Sequence, residues 1–324
     1  MDGVFVRSKV MDRETLRALM QRSDLRGALQ AGSHFGAIAL TGTALWALWG
    51  SWWAVPVFLV HGVLLNFLYA GQHELSHGTP FATKWVNVAL GRLIGFLMLY
   101  PRDFDRIQHF AHHQWTQNWS RDGELARAPY TLRSYLLWLL GPSYWWSRIG
   151  RLVRLARGVV VEPYIREDER ALVIREARLH VAGYAAVAAL SLATGSGAAL
   201  ILWLAPMMAT KVVHQLQNTI EHLGLSHEDN ILENTRSTRT NALMRWLCWN
   251  MQYHTAHHAF PSVPFWKLQQ LNARMTEGAG TPPWSMGYLE FQRQVIAKLW
   301  ARDEHDYPDY EVWVTPEGGR VPLD

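Results

Sequence analysis

The fold is decided by residues 27–72, which read GALQAGSHFGAIALTGTALWALWGSWWAVPVFLVHGVLLNFLYAGQ. This stretch contains no Asp, Glu, Lys or Arg, and Gly50-Ser51 interrupts it near the middle. A membrane-spanning helix needs roughly 20 apolar residues, and a Gly-Ser pair is typical of a tight turn. The stretch is too long for one soluble helix. It therefore predicts a membrane hairpin with helices over 32–50 and 53–72.

A second uncharged run covers residues 179–210 and is interrupted by Gly195-Ser196-Gly197. It predicts a second hairpin with spans over 177–194 and 198–217. The run is short for two complete spans, so its helices either extend into the flanking charged residues or cross the membrane only in part. The sequence is compatible with both.

The hairpin tips carry no Lys or Arg, and essentially all of the basic residues lie in the N-terminal segment, the 101–178 connection and the C-terminal third. The chain has a net charge of +4 and an isoelectric point near 9.2. Basic loops stay on the cytoplasmic side of a membrane, so we expect both termini in the cytoplasm and the hairpin tips outside. This pattern indicates an integral protein of a bacterial inner membrane, in contact with anionic lipid headgroups and not with nucleic acid. The single cysteine, Cys248, excludes an internal disulfide.

The fold class predicted from these runs is an all-α integral membrane protein with two transmembrane hairpins, about four spans in total. We expect one domain over residues 1–324, with a cytoplasmic helical cap formed by residues 73–176 and 218–324. Within the cap, residues 85–100 and 131–146 are apolar but short or charged, which is typical of interfacial helices.

Three histidine clusters lie directly after apolar segments, where helices leave the membrane. Each places imidazoles four residues apart, and two add a third imidazole between them, so the rings share a helix face. Neutral imidazole is the commonest side-chain metal ligand, and nitrogen-rich sites suit zinc, copper, iron or nickel. Eight such ligands are too many for one ion and suit a site for two ions. The clusters are His73-Glu-Leu-Ser-His77, His109-Phe-Ala-His112-His113 and His254-Thr-Ala-His257-His258. Outside them, four histidines are expected to be core residues with ordinary partners or exposed residues: His34, His61, His180 and His305.

The three clusters and their flanks resemble the membrane fatty acid desaturase and hydroxylase superfamily, which carries H-x(3,4)-H, H-x(2)-H-H and [HQ]-x(2)-H-H boxes. The stretch from His112 to Glu124 resembles the family's HHxxT…DPE segment, with Gly123 in place of the usual Pro. The segment His257-His258-Ala-Phe-Pro261 resembles the family's HHxFP ending. The resemblance extends from the first hairpin to about residue 270.

The resemblance implies a site for two iron ions and adds a ninth ligand, His222, to the eight box histidines. It also implies that Asn218, four residues before His222, holds a metal-bound water; an ordinary helix-capping role is the alternative. His214, two turns before His222, either supports the site or plays no part. Three carboxylates could orient imidazoles through their second ring nitrogen, or be ordinary surface or capping groups: Glu74, Asp122 and Glu221.

The family resemblance implies O2-dependent oxidation of an unactivated C–H bond in a lipid-like substrate, with fatty acyl desaturation as the leading reaction. A hydroxylase, ketolase or oxidative decarboxylase acting on a hydrocarbon-like or small substrate is the alternative. A metal-binding transporter or sensor is a third class, although the predicted spans lack the charged residues of a transporter. The sequence has no HPGG heme signature, GxGxxG fingerprint or cysteine set. We therefore expect a separate electron donor, a ferredoxin- or cytochrome-type carrier with its reductase.

Overall fold

The computed structural model describes residues 10–125, 131–301, 312–316, 319–320 and 323. This part of the chain is mostly helical. The α-helices are α1 Arg13–Leu19, α2 Asp24–Leu48, α3 Ala54–His77, α4 Lys84–Leu97, α5 Arg102–Gln114, α6 Leu132–Leu139, α7 Pro142–Ala156, α8 Glu167–Thr194, α9 Ala205–Ala209, α10 Lys211–Thr219, α11 Ile231–Asn234, α12 Ala242–Leu247, α13 His254–Ala259, α14 Leu268–Ala279 and α15 Tyr288–Trp300.

The first predicted hairpin is a pair of long helices, α2 and α3, which turn at Gly50. Gly50 has a φ of +90°, a conformation that glycine adopts without strain. Helix α3 continues to His77 and ends at Gly78, which has a φ of +66°. Among the described helices, α3 is the one that is long and apolar enough to cross a membrane.

The second predicted hairpin is more irregular. Helix α8 ends at Gly195 as expected, but the continuous helix predicted over 198–217 is wrong. That segment contains a π-helix over Leu200–Leu204, then α9, a break at Thr210 with a φ of −104°, and then α10. Pro206 has no backbone N–H, so it cannot donate to the carbonyl of Leu202 one turn earlier.

Side chains of α3 provide the hydrogen bonds that this irregular segment lacks. His61 Nε2–H donates to the Leu202 carbonyl at 2.8 Å. Asn66 Nδ2 donates to the Met207 carbonyl at 2.8 Å and to Thr210 Oγ1 at 3.0 Å. The break depends on residues more than 140 positions away, which explains why the local apolar pattern did not predict it.

The described residues are mostly helical, consistent with the all-α expectation, and they include one short parallel sheet in the predicted cap. Strand β1, Arg236–Thr238, pairs with β2, Trp284–Met286, and Ser237 lies opposite Ser285. Strands of three residues are too short to show an alternating pattern in the sequence. The backbone N–H of Arg236 also donates to the Glu221 carbonyl at 2.7 Å, so β1 fixes the segment next to His222.

Interfacial helices were predicted over 85–100 and 131–146, and each region is helical. Residues 84–97 form α4, while the second region forms two helices, α6 and α7, joined at Gly141 with a φ of +99°. Helix α15 follows Pro282 and the short strand β2. The histidine clusters lie at the C-terminal ends of α3 and α5 and on α13.

The packing of α3 against α9 predicts that Gly62→Ala lowers stability. A Cβ atom on Gly62 would lie 2.2 Å from the Pro206 carbonyl oxygen, so one helix must move. Such overpacking typically costs about 1–3 kcal/mol. Thermal unfolding of the purified protein in one detergent measures the effect.

The control is Gly36→Ala in α2, where an added Cβ meets no atom within 4 Å. There the better helix propensity of Ala should leave the free energy of unfolding unchanged or raise it by up to about 1 kcal/mol, so the unfolding temperature should not fall. Equal unfolding temperatures for the two variants would show that α3 and α9 are not in close contact.

Candidate metal centre

Four segments carry the nine predicted ligands to one place. His73 and His77 lie on the last two turns of α3, and α5 carries the second cluster on its C-terminal half. The third cluster is on α13, directly after a 3-10 turn over Met251–Tyr253. His222 follows α10 and is fixed by the neighbouring strand β1.

The nine imidazoles form two groups, and in each group the candidate ligand nitrogens lie within 4.8 Å of one another. The first group has five members and the second has four. The first group is His73, His77, His109, His113 and His257; the second group is His112, His222, His254 and His258.

Each three-histidine cluster is divided between the two groups. On α5, His109 and His113 join the first group while His112 joins the second. On α13 the division is reversed: His254 and His258 belong to the second group, and His257 belongs to the first. Residues four apart on a helix share a face, whereas adjacent residues point about 100° apart. An H-x(2)-H-H box therefore contributes imidazoles to both groups.

Within each group the ring nitrogens are spaced like neighbouring ligands of one metal ion. The Nε2–Nε2 distance is 2.7 Å from His73 to His257 and 2.8 Å from His77 to His109. In the second group, His222 Nε2 lies 3.0 Å from His254 Nε2. Metal–imidazole bonds of about 2.0–2.1 Å at right angles put ligand nitrogens about 3 Å apart.

The other nitrogen of several rings, Nδ1, has a fixed hydrogen-bond acceptor. His109 Nδ1–H donates to Glu124 Oε1 at 3.0 Å, and His112 Nδ1–H donates to Asp122 Oδ1 at 2.9 Å. His222 Nδ1–H donates to the Asn234 carbonyl at 3.0 Å. A neutral ring protonated at Nδ1 presents a bare lone pair at Nε2. Lone pairs that face each other in this way fit a shared metal ion.

The three predicted supporting carboxylates all lie beside ligand rings. Asp122 is hydrogen-bonded to His112, while Glu74 Oε1 is 3.4 Å from His257 Nδ1 and Glu221 Oε1 is 3.6 Å from His254 Nδ1. The last two contacts are ion-pair distances, longer than good hydrogen bonds.

Sequence reasoning missed two supporting side chains. Glu124 accepts from His109, and the Thr116 hydroxyl, which donates to the His112 carbonyl at 2.8 Å, also accepts from His258 Nδ1 at 3.2 Å. Both residues belong to the HHxxT…DPE-like stretch, so that motif was the available signal.

Charges around the second group are unevenly distributed. Burial disfavours protonation of His112, but Asp122 and Glu124 outweigh burial and raise its pKa to about 9. Burial and the neighbouring His112 lower the pKa of His222 to about 3. Burial also raises the pKa of Glu221, whereas His112 and His109 hold the pKa of Glu124 below its usual range against the effect of burial. A cation bound by His112 would therefore displace a proton.

The described histidines outside the boxes have other partners. His34 Nε2 lies 2.9 Å from the Leu64 carbonyl, and His180 Nδ1 lies 2.9 Å from the Glu176 carbonyl. His61 supports the irregular segment described above, and His305 lies outside the described residues. His214 belongs to neither group, and Asn218 Nδ2 lies 3.4 Å from Glu221 Oε2.

The geometry agrees with comparisons to known proteins. Residues 28–289 match the model of the fatty acid desaturase family. The chain belongs to the fatty acid desaturase family. It is an oxidoreductase, and the family predicted from the histidine boxes is confirmed.

Two curated relatives illustrate the similarity. The sn-1 oleoyl-lipid 12-desaturase of Picosynechococcus sp. is 24% identical over 279 residues, which cover 79% of this chain and 77% of that protein. The sn-1 acyl-lipid omega-3 desaturase (ferredoxin) of Synechocystis sp. is 26% identical over 251 residues, which cover 70% of this chain and 68% of that protein.

The contact between Asp122 and His112 predicts that Asp122→Asn weakens metal binding. Loss of the negative charge makes the imidazole a poorer ligand, and comparable changes behind ligands cost 10- to 100-fold in metal affinity. Competition with a chelator, read by metal analysis of the purified protein, measures the affinity. Asp168→Asn is the matched control because Asp168 is exposed and paired with Arg166. If both variants retain wild-type affinity, Asp122 does not support a metal ligand.

Proposed function

We propose that the protein catalyses O2-dependent desaturation of a fatty acyl substrate at a two-iron centre held by the nine histidines. The observation that carries this proposal is the division of nine buried or half-buried imidazoles into two groups, in a chain of the desaturase family. Asp122, Glu124 and the Thr116 hydroxyl would keep ligand rings in the correct tautomer and orientation.

In this reaction two hydrogens leave adjacent carbons and a C=C bond forms. O2 accepts those two hydrogens together with two electrons and two protons from a donor, and two molecules of water result. When bound, the iron ions supply the oxidising power that an unactivated C–H bond requires. The side chains of the protein bind, orient and shield: His257 and His258 have no solvent exposure, which protects the site from bulk water.

A lipid-like substrate and a ferredoxin-type donor fit this proposal. The relatives named above are acyl-lipid desaturases, and the name of one includes ferredoxin. The chain contains 31 Lys and Arg residues against 27 Asp and Glu residues, so an acidic carrier has basic surface to approach.

For the membrane arrangement, we propose one domain with four spans formed by α2, α3, α8 and the 200–219 segment, with the iron centre and both termini on the cytoplasmic side. Helix α3 contains an apolar stretch long enough to span a membrane and carries His73 and His77 at one end. At the opposite end the tip exposes several indoles, and Trp52 is 90% exposed. Indole rings favour the membrane–water interface, so this tip fits the outer interface.

Metal and product analysis together test the function. The purified protein should contain two irons per chain, and cells that express it should form unsaturated acyl products detectable by mass spectrometry. His112→Ala should lose at least one iron and abolish product, because an open coordination position also misplaces the other ligands of the second group. His180→Gln is the control, since His180 is also buried but belongs to neither histidine group.

Several results would contradict the proposal. One zinc and no iron in the wild-type protein would exclude the iron centre. A product that gains oxygen without losing two hydrogens would replace desaturation by hydroxylation. Equal loss of product in His112→Ala and His180→Gln would refute the ligand assignment.

Cysteine labelling in intact cells tests the membrane arrangement. In a Cys248→Ser background, Ser51→Cys and Ser196→Cys should react with an impermeant thiol reagent, whereas Arg121→Cys should react only after lysis. The reason is that the tips carry no basic residue while Arg121 lies next to the second histidine cluster. Labelling of Arg121→Cys in intact cells would place the metal centre on the outer side of the membrane, where a cytoplasmic electron donor cannot reach it.

A further inference from the structure

A cavity of about 410 Å³ adjoins the histidine groups on the side of α6, α7 and α10. Its wall includes Glu124, which accepts from His109, and Tyr69, whose ring meets the His73 ring edge-on. Asn218 lies on the same wall. The volume is within the range of small-molecule sites. A ligand in this cavity lies beside the candidate metal centre.

The wall of this cavity combines aromatic and polar side chains, and apolar atoms contribute most of its accessible surface. Among its described lining residues, Leu137 is the one aliphatic side chain; the others include serines, amides, tyrosines and the guanidinium groups of Arg148 and Arg151. A plain alkyl chain that filled the space would remove these polar groups from water without replacing their hydrogen bonds. The cavity therefore suits a ligand with a polar end.

Four buried polar atoms of the wall have no hydrogen-bond partner within the described part of the protein. They are Arg148 Nη1, Tyr144 Oη, His214 Nε2 and Gln215 Oε1. Buried polar atoms are nearly always paired, and leaving one unpaired costs about 1–3 kcal/mol. Their concentration in one cavity indicates that a ligand provides the missing partners.

The charge at this wall is positive. Arg148 and Lys211 both lie over the Tyr144 ring, 4.4 Å and 3.7 Å from its centre. Lys211 does not line the cavity: it is fully buried, and its Nζ lies 2.9 Å from His214 Nδ1. In the described residues the Arg148 guanidinium, which does line the cavity, forms no ion pair, and the lining carboxylate, Glu124, is bonded to His109. A partly buried guanidinium without an ion pair favours an anionic ligand group.

We propose that this cavity binds the substrate as a free organic carboxylate. The carboxylate accepts hydrogen bonds from Arg148 Nη1 and Tyr144 Oη, and the remainder of the molecule extends toward Asn218 and the histidine groups. This inference rests on the proposed function and narrows it: the enzyme takes an acid small enough for the cavity, not an ester within a membrane lipid.

Calorimetric titration of the purified, iron-loaded protein in lipid nanodiscs tests the inference. The probes are butanoate, hexanoate and octanoate, each compared with its methyl ester and with the alkyl phosphate of equal chain length. The acids should bind more tightly than the esters. Arg148→Gln should weaken acid binding about 10- to 100-fold, as expected for a lost charged hydrogen bond, and leave ester binding unchanged.

Further variants separate binding from folding. Tyr144→Phe removes one hydroxyl and should weaken acid binding by several fold, while Arg148→Lys should retain part of the affinity because the positive charge remains. Arg157→Gln is the matched control, since Arg157 is exposed at the end of the same helix, α7. It should bind the acids like the wild type.

Two outcomes overturn the inference. Acid binding that is equal in the wild type and Arg148→Gln would exclude the carboxylate site. Tighter binding of the alkyl phosphates, lost in Arg148→Gln, would assign the cavity to a phosphate-bearing lipid headgroup instead. Failure of the proposed function is a distinct result: the acids bind as predicted, yet neither they nor lipids are oxidised. Conversely, if oxidised lipid products form but acid binding does not depend on Arg148, this inference is wrong and the proposed function stands.

Discussion

The structure depends on the convergence of nine imidazole nitrogens, supplied by four segments, in an interior that excludes water. His73 and His257 are 184 residues apart in the chain, yet their Nε2 atoms lie 2.7 Å apart. A buried ring nitrogen without a partner is unfavourable, so each ring must be held by its helix and by its second nitrogen. Helices α3, α5 and α13 therefore have to place their histidine-bearing turns next to one another in the interior.

The backbone next to the centre is irregular, and side chains compensate for that irregularity. Pro206 has no N–H to donate to the Leu202 carbonyl, and His61 Nε2–H donates to that carbonyl. Further along, the N–H of Arg236 bonds to Glu221, and its guanidinium bonds to the Leu223 and Val314 carbonyls. These contacts fix the segment that carries His222, so the position of the ninth imidazole depends on α3 at one end and on β1 at the other.

The sequence predicted those features that follow from local periodicity. Histidines four apart must share a helix face, and the tips at Gly50 and Gly195 turn where the glycines predicted. The break at Thr210 could not be predicted because it depends on His61 and Asn66, which are distant in sequence. The parallel sheet escaped detection because its strands have only three residues. The role of His222 was suggested by the family pattern and not by its own spacing, since no second histidine lies four residues from it.

In the proposed two-iron centre, neutral imidazoles would leave the positive charge of the ions uncompensated. The nine imidazoles contribute no negative charge, but four carboxylates lie behind them: Glu74, Asp122, Glu124 and Glu221. Two divalent ions carry four positive charges, so this outer layer can neutralise them fully. Burial raises the pKa of Glu221, and a nearby cation would favour its ionised form. The centre would then be close to neutral overall, and an anionic substrate would need its own cation. Arg148 lines the adjoining cavity, where its guanidinium can meet that requirement.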